Sequence, residues 1–233
     1  MPWWGRWRPY VPVATRRARA TKKMENLRRK GVDVQPVFLT DGTIARTFWG
    51  RAWCEHLERF SDYENRLPRG RSYVRNGSVC HLEIRKGNVA AKVMGSELYE
   101  VSIRVKTLPP AKWKRLRSRC AGRVGSMLEL LQGRLSDQVM GTVTDRKHGL
   151  FPHPGEITLR CSCPDWADMC KHVAAALYGV GARLDESPEM LFHLRGVDHQ
   201  ELVGKASARA VVDKARSGRI LKADTLSDVF GID

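Results

Sequence analysis

The chain has 233 residues, 42 % of them apolar, and 41 Lys and Arg against 25 Asp and Glu give it a formal charge of +16. Mean hydropathy is −0.41, and no run approaches the ~20 apolar residues of a membrane span, which excludes a transmembrane protein. At about 150 residues per domain the length allows one or two domains, and so basic a balance points to a polyanionic partner.

The first thirty residues lack the continuous apolar stretch of a secretory leader. Of the six cysteines, Cys54, Cys80 and Cys120 are scattered, whereas Cys161, Cys163 and Cys170 are crowded. A secreted disulfide scaffold is rarely so uneven, so reduced thiols in a cytoplasmic protein are expected. Charge is unevenly spread too: residues 1–46 carry +8, 47–106 carry +4, 107–155 carry +6, 156–204 carry −4 and 205–233 carry +2. Any polyanion contact is therefore expected mainly outside the cysteine-rich stretch.

Residues 1–46 read as a basic arm. Trp3, Trp4, Trp7 and Tyr10 are interleaved with Arg6 and Arg8, and Pro2, Pro9 and Pro12 argue against a helix before about residue 13. Arg16, Arg17, Arg19, Lys22 and Lys23 continue the run, with Glu25 the one acid among the first thirty residues. Aromatic rings among arginines can stack on bases and clamp phosphates. The competing reading docks the tryptophans on the protein's own core or on a partner. The candidate nucleic-acid residues are Trp3, Trp4, Arg6, Trp7, Arg8, Arg16, Arg17, Arg19, Lys22 and Lys23.

An α+β body is expected over 47–155. Residues 47–60 read as a core helix capped by Thr47, with Cys54 a buried small hydrophobe and His56 on the surface. Strands are expected at 71–75, 78–85, 89–94 and 98–105, separated by the hairpin signals Asn76-Gly77 and Gly87-Asn88. The alternating basic residues of this meander, among them Arg85, Lys92 and Arg104, read as a solvated face, with a polyanion surface as the alternative. A basic helix at 111–120 turns Trp113 and Leu116 inward. Helix continues at 124–132 through Val124, Met127, Leu128 and Leu131, residues 134–148 are ambiguous, and 151–155 form a turn.

The chemistry sits in 157–172, ITLRCSCPDWADMCKH. Ile157 and Leu159 alternate as in a strand leading into Cys161, Pro164 ends it, and an Ala-rich helical stretch follows His172. Zinc takes four N or S ligands in a tetrahedron, so Cys161, Cys163, Cys170 and His172 make a complete protein set, the closed arrangement of a structural site. Cys161 and Cys163 converge only if the backbone bends sharply, and Cys170 is expected just before the helix with His172 in its first turn. A Cys₃His set suits zinc better than iron–sulfur or copper, while a redox Cys-x-Cys pair leaves Cys170 and His172 unexplained.

The order Cys-x-Cys, spacer, Cys-x-His in CSCPDWADMCKH resembles the SWIM zinc finger of bacterial proteins, Snf-type ATPases and MuDR-class transposases. TFWGRAW, RGRSYVRNGSV, MLFHLRG and the terminal LSDVFGID resemble bacterial SWIM proteins associated with Snf-type helicases, over most of residues 40–233. The resemblance implies one structural Zn²⁺ on Cys161, Cys163, Cys170 and His172, and a role in binding DNA or proteins. Around the ligands, Trp166 is expected as a lid, Asp165 as a hydrogen-bonding partner and Lys171 as a counter-charge. Ser187 is expected to cap a short helix through Met190, Leu191 and Leu194. Residues 156–204 thus form the finger and its following helix, and 205–233 a helical C-terminal tail.

No G-x-x-x-x-G-K-[ST], H-E-x-x-H or G-x-S-x-G pattern is present, and no enzyme activity is expected. The leading expectation is an accessory protein that contacts nucleic acid, DNA first, through its basic arm and body. The alternative is an adaptor that recruits a Snf-type helicase-like ATPase.

Overall fold

The computed structural model describes residues 11–59, 66–121, 123–145, 147–165 and 167–203. Three strands come first, β1 (Val79–Arg85), β2 (Asn88–Met94) and β3 (Leu98–Val105), in an antiparallel meander. β4 (Ile157–Cys161) arrives some fifty residues later and pairs antiparallel with the free edge of β3, giving the order β1-β2-β3-β4. The strand predicted to lead into Cys161 is thus the fourth strand of the body's own sheet. The fold class is α+β, as expected.

Against this sheet lies α7 (Lys171–Glu186), buried continuously from His172 to Ala182. A helix apolar all round has no solvent face. Here Ala174, Ala175, Ala176, Gly179 and Gly181 keep it thin enough for close approach. α2 (Phe48–Glu58) and α3 (Leu67–Arg75) pack along α7, and Trp53 donates its indole N–H to Leu177 O at 2.8 Å. The remaining helices are α4 (Pro110–Cys120), α5 (Met127–Gln132), α6 (Asp137–Val143) and α8 (Glu189–Arg195). One hydrophobic cluster runs from Val37 to Leu202 and takes in both the sheet and α7.

Several local expectations are corrected. Residues 71–75 belong to α3. Pro68 sits in that helix's first turn, and Leu67, Gly70 and Val74 are buried at steps of three and four. Asn76-Gly77 ends this helix instead of turning a hairpin. Gly77 has φ +65°, its N–H reaches Val74 O, and the N–H of Ser78 reaches Tyr73 O. That is the Schellman pattern, which needs the left-handed residue glycine supplies. His56 is buried, with Nε2 2.8 Å from Pro152 O, and Cys54 is only half-buried. In α5 the inward residue is Leu130, and Leu128 is 64 % exposed.

Thr47 is the N-cap residue of α2 but makes no capping bond with its side chain. Its N–H (3.0 Å) and hydroxyl (2.7 Å) both donate to the Asp185 carboxylate at the far end of α7. Ser187 likewise ends α7, and Pro188 precedes α8.

The basic segment is helical after Pro12. It forms α1 (Val13–Arg29), starting where the prolines stop. Arg16, Ala20 and Met24 recur every four residues on one buried face, and Ala20 and Met24 pack with Val34, Cys80 and Met94. Two small apolar contacts hidden among seven cations are a faint signal in sequence. Residues 1–10, with Trp3, Trp4, Arg6, Trp7 and Arg8, lie outside the described residues, as do Trp166 and the tail 205–233.

Arg195 is fully buried. It donates to Lys106 O and pairs with Glu156 at 3.0 Å, tying α8 to the start of β4. Burial pulls its pKa down, against the pull of Glu156. Arg195→Met is expected to cost about 3 kcal/mol, because it leaves the Glu156 carboxylate without its main partner. Denaturant unfolding measures this, and a loss below about 1 kcal/mol, the range of an exposed pair, would remove the anchor from the account.

Candidate metal centre and its basic surroundings

The centre is built where β4 and α7 face each other. The ladder runs one residue past β4: Ser162 donates its N–H to Glu100 O and accepts from the Glu100 N–H with its hydroxyl, both at 2.9 Å. The chain then bends through Ser162, Cys163 and Pro164. The bend therefore falls at and after Ser162, with Ser162 pinned to β3. On the other side Cys170 is the N-cap of α7, its Sγ accepting from the Val173 N–H at 3.5 Å, and His172 lies in the first turn.

The ligand atoms of Cys161, Cys163, Cys170 and His172 all lie within 4.8 Å of one another. His172 Nδ1 is 3.9 Å from Cys161 Sγ and 3.8 Å from Cys170 Sγ. A tetrahedron with Zn–S near 2.3 Å and Zn–N near 2.0–2.1 Å has edges of about 3.5–3.8 Å. Three sulfurs and one imidazole nitrogen at this separation fit Zn²⁺ and leave no protein-free position. Of the three thiols, Cys170 is driven towards the thiolate. The Cys161 thiol donating to it is the largest cause, His172 and the Val173 N–H add to it, and burial opposes. Metal ligation needs that deprotonated form.

Sequence reasoning missed the second layer. The His172 ring is 2 % exposed and lies between two tyrosines, Tyr99 at 4.4 Å and Tyr73 at 5.4 Å between ring centroids. Gly95, in the β2–β3 turn, closes over it. A Cβ there would stand 2.6 Å from His172 Nε2 and 2.9 Å from the Tyr99 ring, so only glycine allows this approach. Nothing in the pattern around residues 95–99 announces a neighbour 77 positions away. Asp165 pairs with Arg66 at 3.1 Å and accepts from the Ala167 N–H.

The candidate basic residues are divided by α1. Arg17 turns to Asn76. Arg19, Lys22 and Lys23 line a cleft of about 540 Å³ with Ser96, Glu97 and Leu98. Arg16 faces a second cleft, of about 730 Å³, at the lip of the metal centre. Two of the meander's cations are paired, Arg85 with Glu83 and Lys92 with Glu100, and Arg71 on α3 pairs with Glu58.

Four inward-facing ligands on a strand, a bent loop and a helix start define a closed Cys₃His zinc centre of the strand–loop–helix kind. Residues 145–180 match the family model of the SWIM zinc finger. The chain carries a SWIM zinc finger, whose cofactor is one structural Zn²⁺. It is 34 % identical over 175 residues to the uncharacterized protein Rv2102 of Mycobacterium tuberculosis, a match covering 73 % of this chain and 63 % of that one. The chain thus spans less than two thirds of that relative's length. No solved structure matches. Among the described residues, no helix is long and apolar enough to cross a membrane.

Proposed function

We propose that this chain is a non-catalytic, cytoplasmic nucleic-acid-binding protein, DNA its first expected partner, in which zinc holds the architecture and α1 with the adjoining body makes the contact. The observation that carries this reading is the cationic surface beside the metal centre. The two clefts meet at Ser96, so Arg16 on one side and Arg19, Lys22 and Lys23 on the other form one track along α1. Arg29 and Lys30, exposed at the C-terminal end of α1, fall towards the same side of the helix.

The acidic balance of 156–204 does not oppose this. Asp165 pairs with Arg66, Glu156 with Arg195, Glu186 with Arg183, and Glu201 with Arg117. Asp185 caps α2. Those carboxylates are paired within the chain, with Glu186 and Glu201 still exposed, and two of the arginines, Arg66 and Arg117, come from the body and offset part of the −4. The same occupancy weakens the alternative, an adaptor that recruits a Snf-type helicase-like ATPase through an acidic finger. What remains of that alternative rests on the tail 205–233.

The test is a titration against a labelled DNA oligonucleotide at several salt concentrations. Affinity is expected to fall steeply and linearly in log–log form, because each neutralised phosphate releases condensed counterions, with a slope of about −0.7 per contact for single strands. Lys22→Gln with Lys23→Gln should shallow that slope by about 1–2. A flat isotherm, or no binding, rejects the proposal.

A further inference from the structure

The cleft at the metal lip has features that a merely solvated basic face lacks. Arg16 is only 9 % exposed, and its Nε is buried with no hydrogen-bond partner among the described residues. Most exposed arginines spend their donors on water, but a buried guanidinium with a free N–H carries a desolvation cost that a bound acceptor would offset. The group is not loose. Its Cζ lies 4.6 Å over the Tyr73 ring, a cation–π contact that fixes its plane. Tyr73 in turn stands edge-on to the zinc ligand His172. Metal, imidazole, tyrosine and guanidinium form one packed series, so the zinc centre sets the position of a charge about two side chains away.

Two further cations line the same cleft. Arg69 is exposed on α3, and Lys171 is the first residue of α7, beside Cys170; neither has a carboxylate partner among the described residues. The carboxylate on the lining, Asp165, is taken by Arg66. With three thiolates and one Zn²⁺ the centre itself contributes about −1, less than the three cations facing it. Positive charge therefore wins in the cleft. Among the described residues, the rings lining it are Tyr99 and His172, both buried, and Tyr73, which Arg16 covers, so these residues offer donors and not a stacking face.

We infer that this cleft is a phosphodiester seat, in which Arg16, Arg69 and Lys171 converge on the backbone of a bound nucleic acid. The inference rests on the nucleic-acid reading above and adds where the strand is held. It also makes the seat indifferent to base identity, since phosphate contacts fix register and orientation without reading sequence.

The experiment is fluorescence anisotropy of a labelled single-stranded DNA with the zinc-loaded full chain, comparing the double variant Arg69→Gln/Lys171→Gln with Lys114→Gln/Arg115→Gln. The second pair sits on the exposed face of α4 and removes the same charge elsewhere. Zinc content and the thermal transition of both variants should stay at the parent's values, since neither pair ligates metal. The cleft variant is expected to bind about tenfold more weakly, with a salt slope lower by about 1, and the α4 variant to lose threefold at most. Equal losses in the two variants, or none in the cleft variant, overturn the seat while leaving the wider reading intact. Absence of binding by the parent overturns both. Inorganic phosphate at constant ionic strength should displace the strand only at millimolar levels. Displacement at micromolar levels would make this a free-phosphate site and also overturn the proposal.

Discussion

Cys170→Ala is expected to strip the zinc and to unfold the body along with the finger. Cys170 is fully buried and does two jobs: it is a ligand, and its sulfur caps the first turn of α7. Losing a cap costs about 1 kcal/mol. Losing the metal is larger, because structural zinc in finger peptides binds with about 10–16 kcal/mol of apparent free energy, comparable to the whole stability of a typical domain. In a finger strung on a linker that loss stays local. Here α7 is the helix on which α2, α3 and the sheet all pack, and β4 closes the sheet.

The expected result is zinc content falling from one per chain to none, with loss of hydrogen-exchange protection in β2, β3 and α3 as well as at 157–172. A strong chelator should do the same to the parent, and acidification should do it more gradually as protons compete for the thiolates and the imidazole. Cys120→Ala, at a buried cysteine outside the cluster, should keep the metal and cost about 1–2 kcal/mol. Retention of zinc by the Cys170 variant, or a sheet that stays protected without metal, would refute this coupling.

The metal set was legible because its information is local. Four ligands within twelve residues, a proline after the first pair and an alanine-rich run after the second specify strand, bend and helix start almost unaided. The meander from 78 to 105 was legible for the same reason, its alternation being period two over adjacent strands. What was not legible is what distant segments do to each other. RSYVR alternates as a strand does, yet it forms the end of α3, because Gly70 and Val74 must meet α7 a hundred residues on. His56 is polar and became buried because Pro152 offers it a carbonyl from another segment. Thr47 carried a correct signal for a helix start, but its hydroxyl is spent on Asp185 from the far end of α7 instead of on the helix's first turn. Arg16 stood among the candidate nucleic-acid residues with nothing in the sequence to set it apart from its neighbours. Its place over Tyr73 and against the metal lip depends on how α1 lies on the sheet, which no pattern in residues 13–29 states.

The contact between α3 and α7 yields the other large effect, and a comparison of two glycines isolates it. Both Gly70 and Gly141 are inside helices, where alanine is favoured over glycine by about 0.5–1 kcal/mol through the unfolded chain's lost freedom. At Gly141, in α6, an added Cβ meets nothing within 4 Å, so Gly141→Ala should stabilise by about that amount. At Gly70 the same carbon would lie 2.5 Å from Ala174 Cβ, 2.8 Å from Ala174 C and 3.0 Å from Ala175 N. Two of these neighbours are backbone atoms of the central helix, which cannot swing aside as a side-chain tip can. Overpacking of this kind costs about 1–3 kcal/mol and sometimes more, so packing outweighs propensity. Gly70→Ala should destabilise by about 2 kcal/mol, and Gly70→Val by more, since a branched side chain meets the same wall. The displacement also moves Arg69 and Tyr73, which share α3, so the Gly70 variant should lose nucleic-acid affinity before it loses zinc. Equilibrium unfolding of the two alanine variants measures the difference, with opposite signs expected. If both stabilise, α3 and α7 are not in close contact, and α7 loses the neighbour that makes its burial on that side complete.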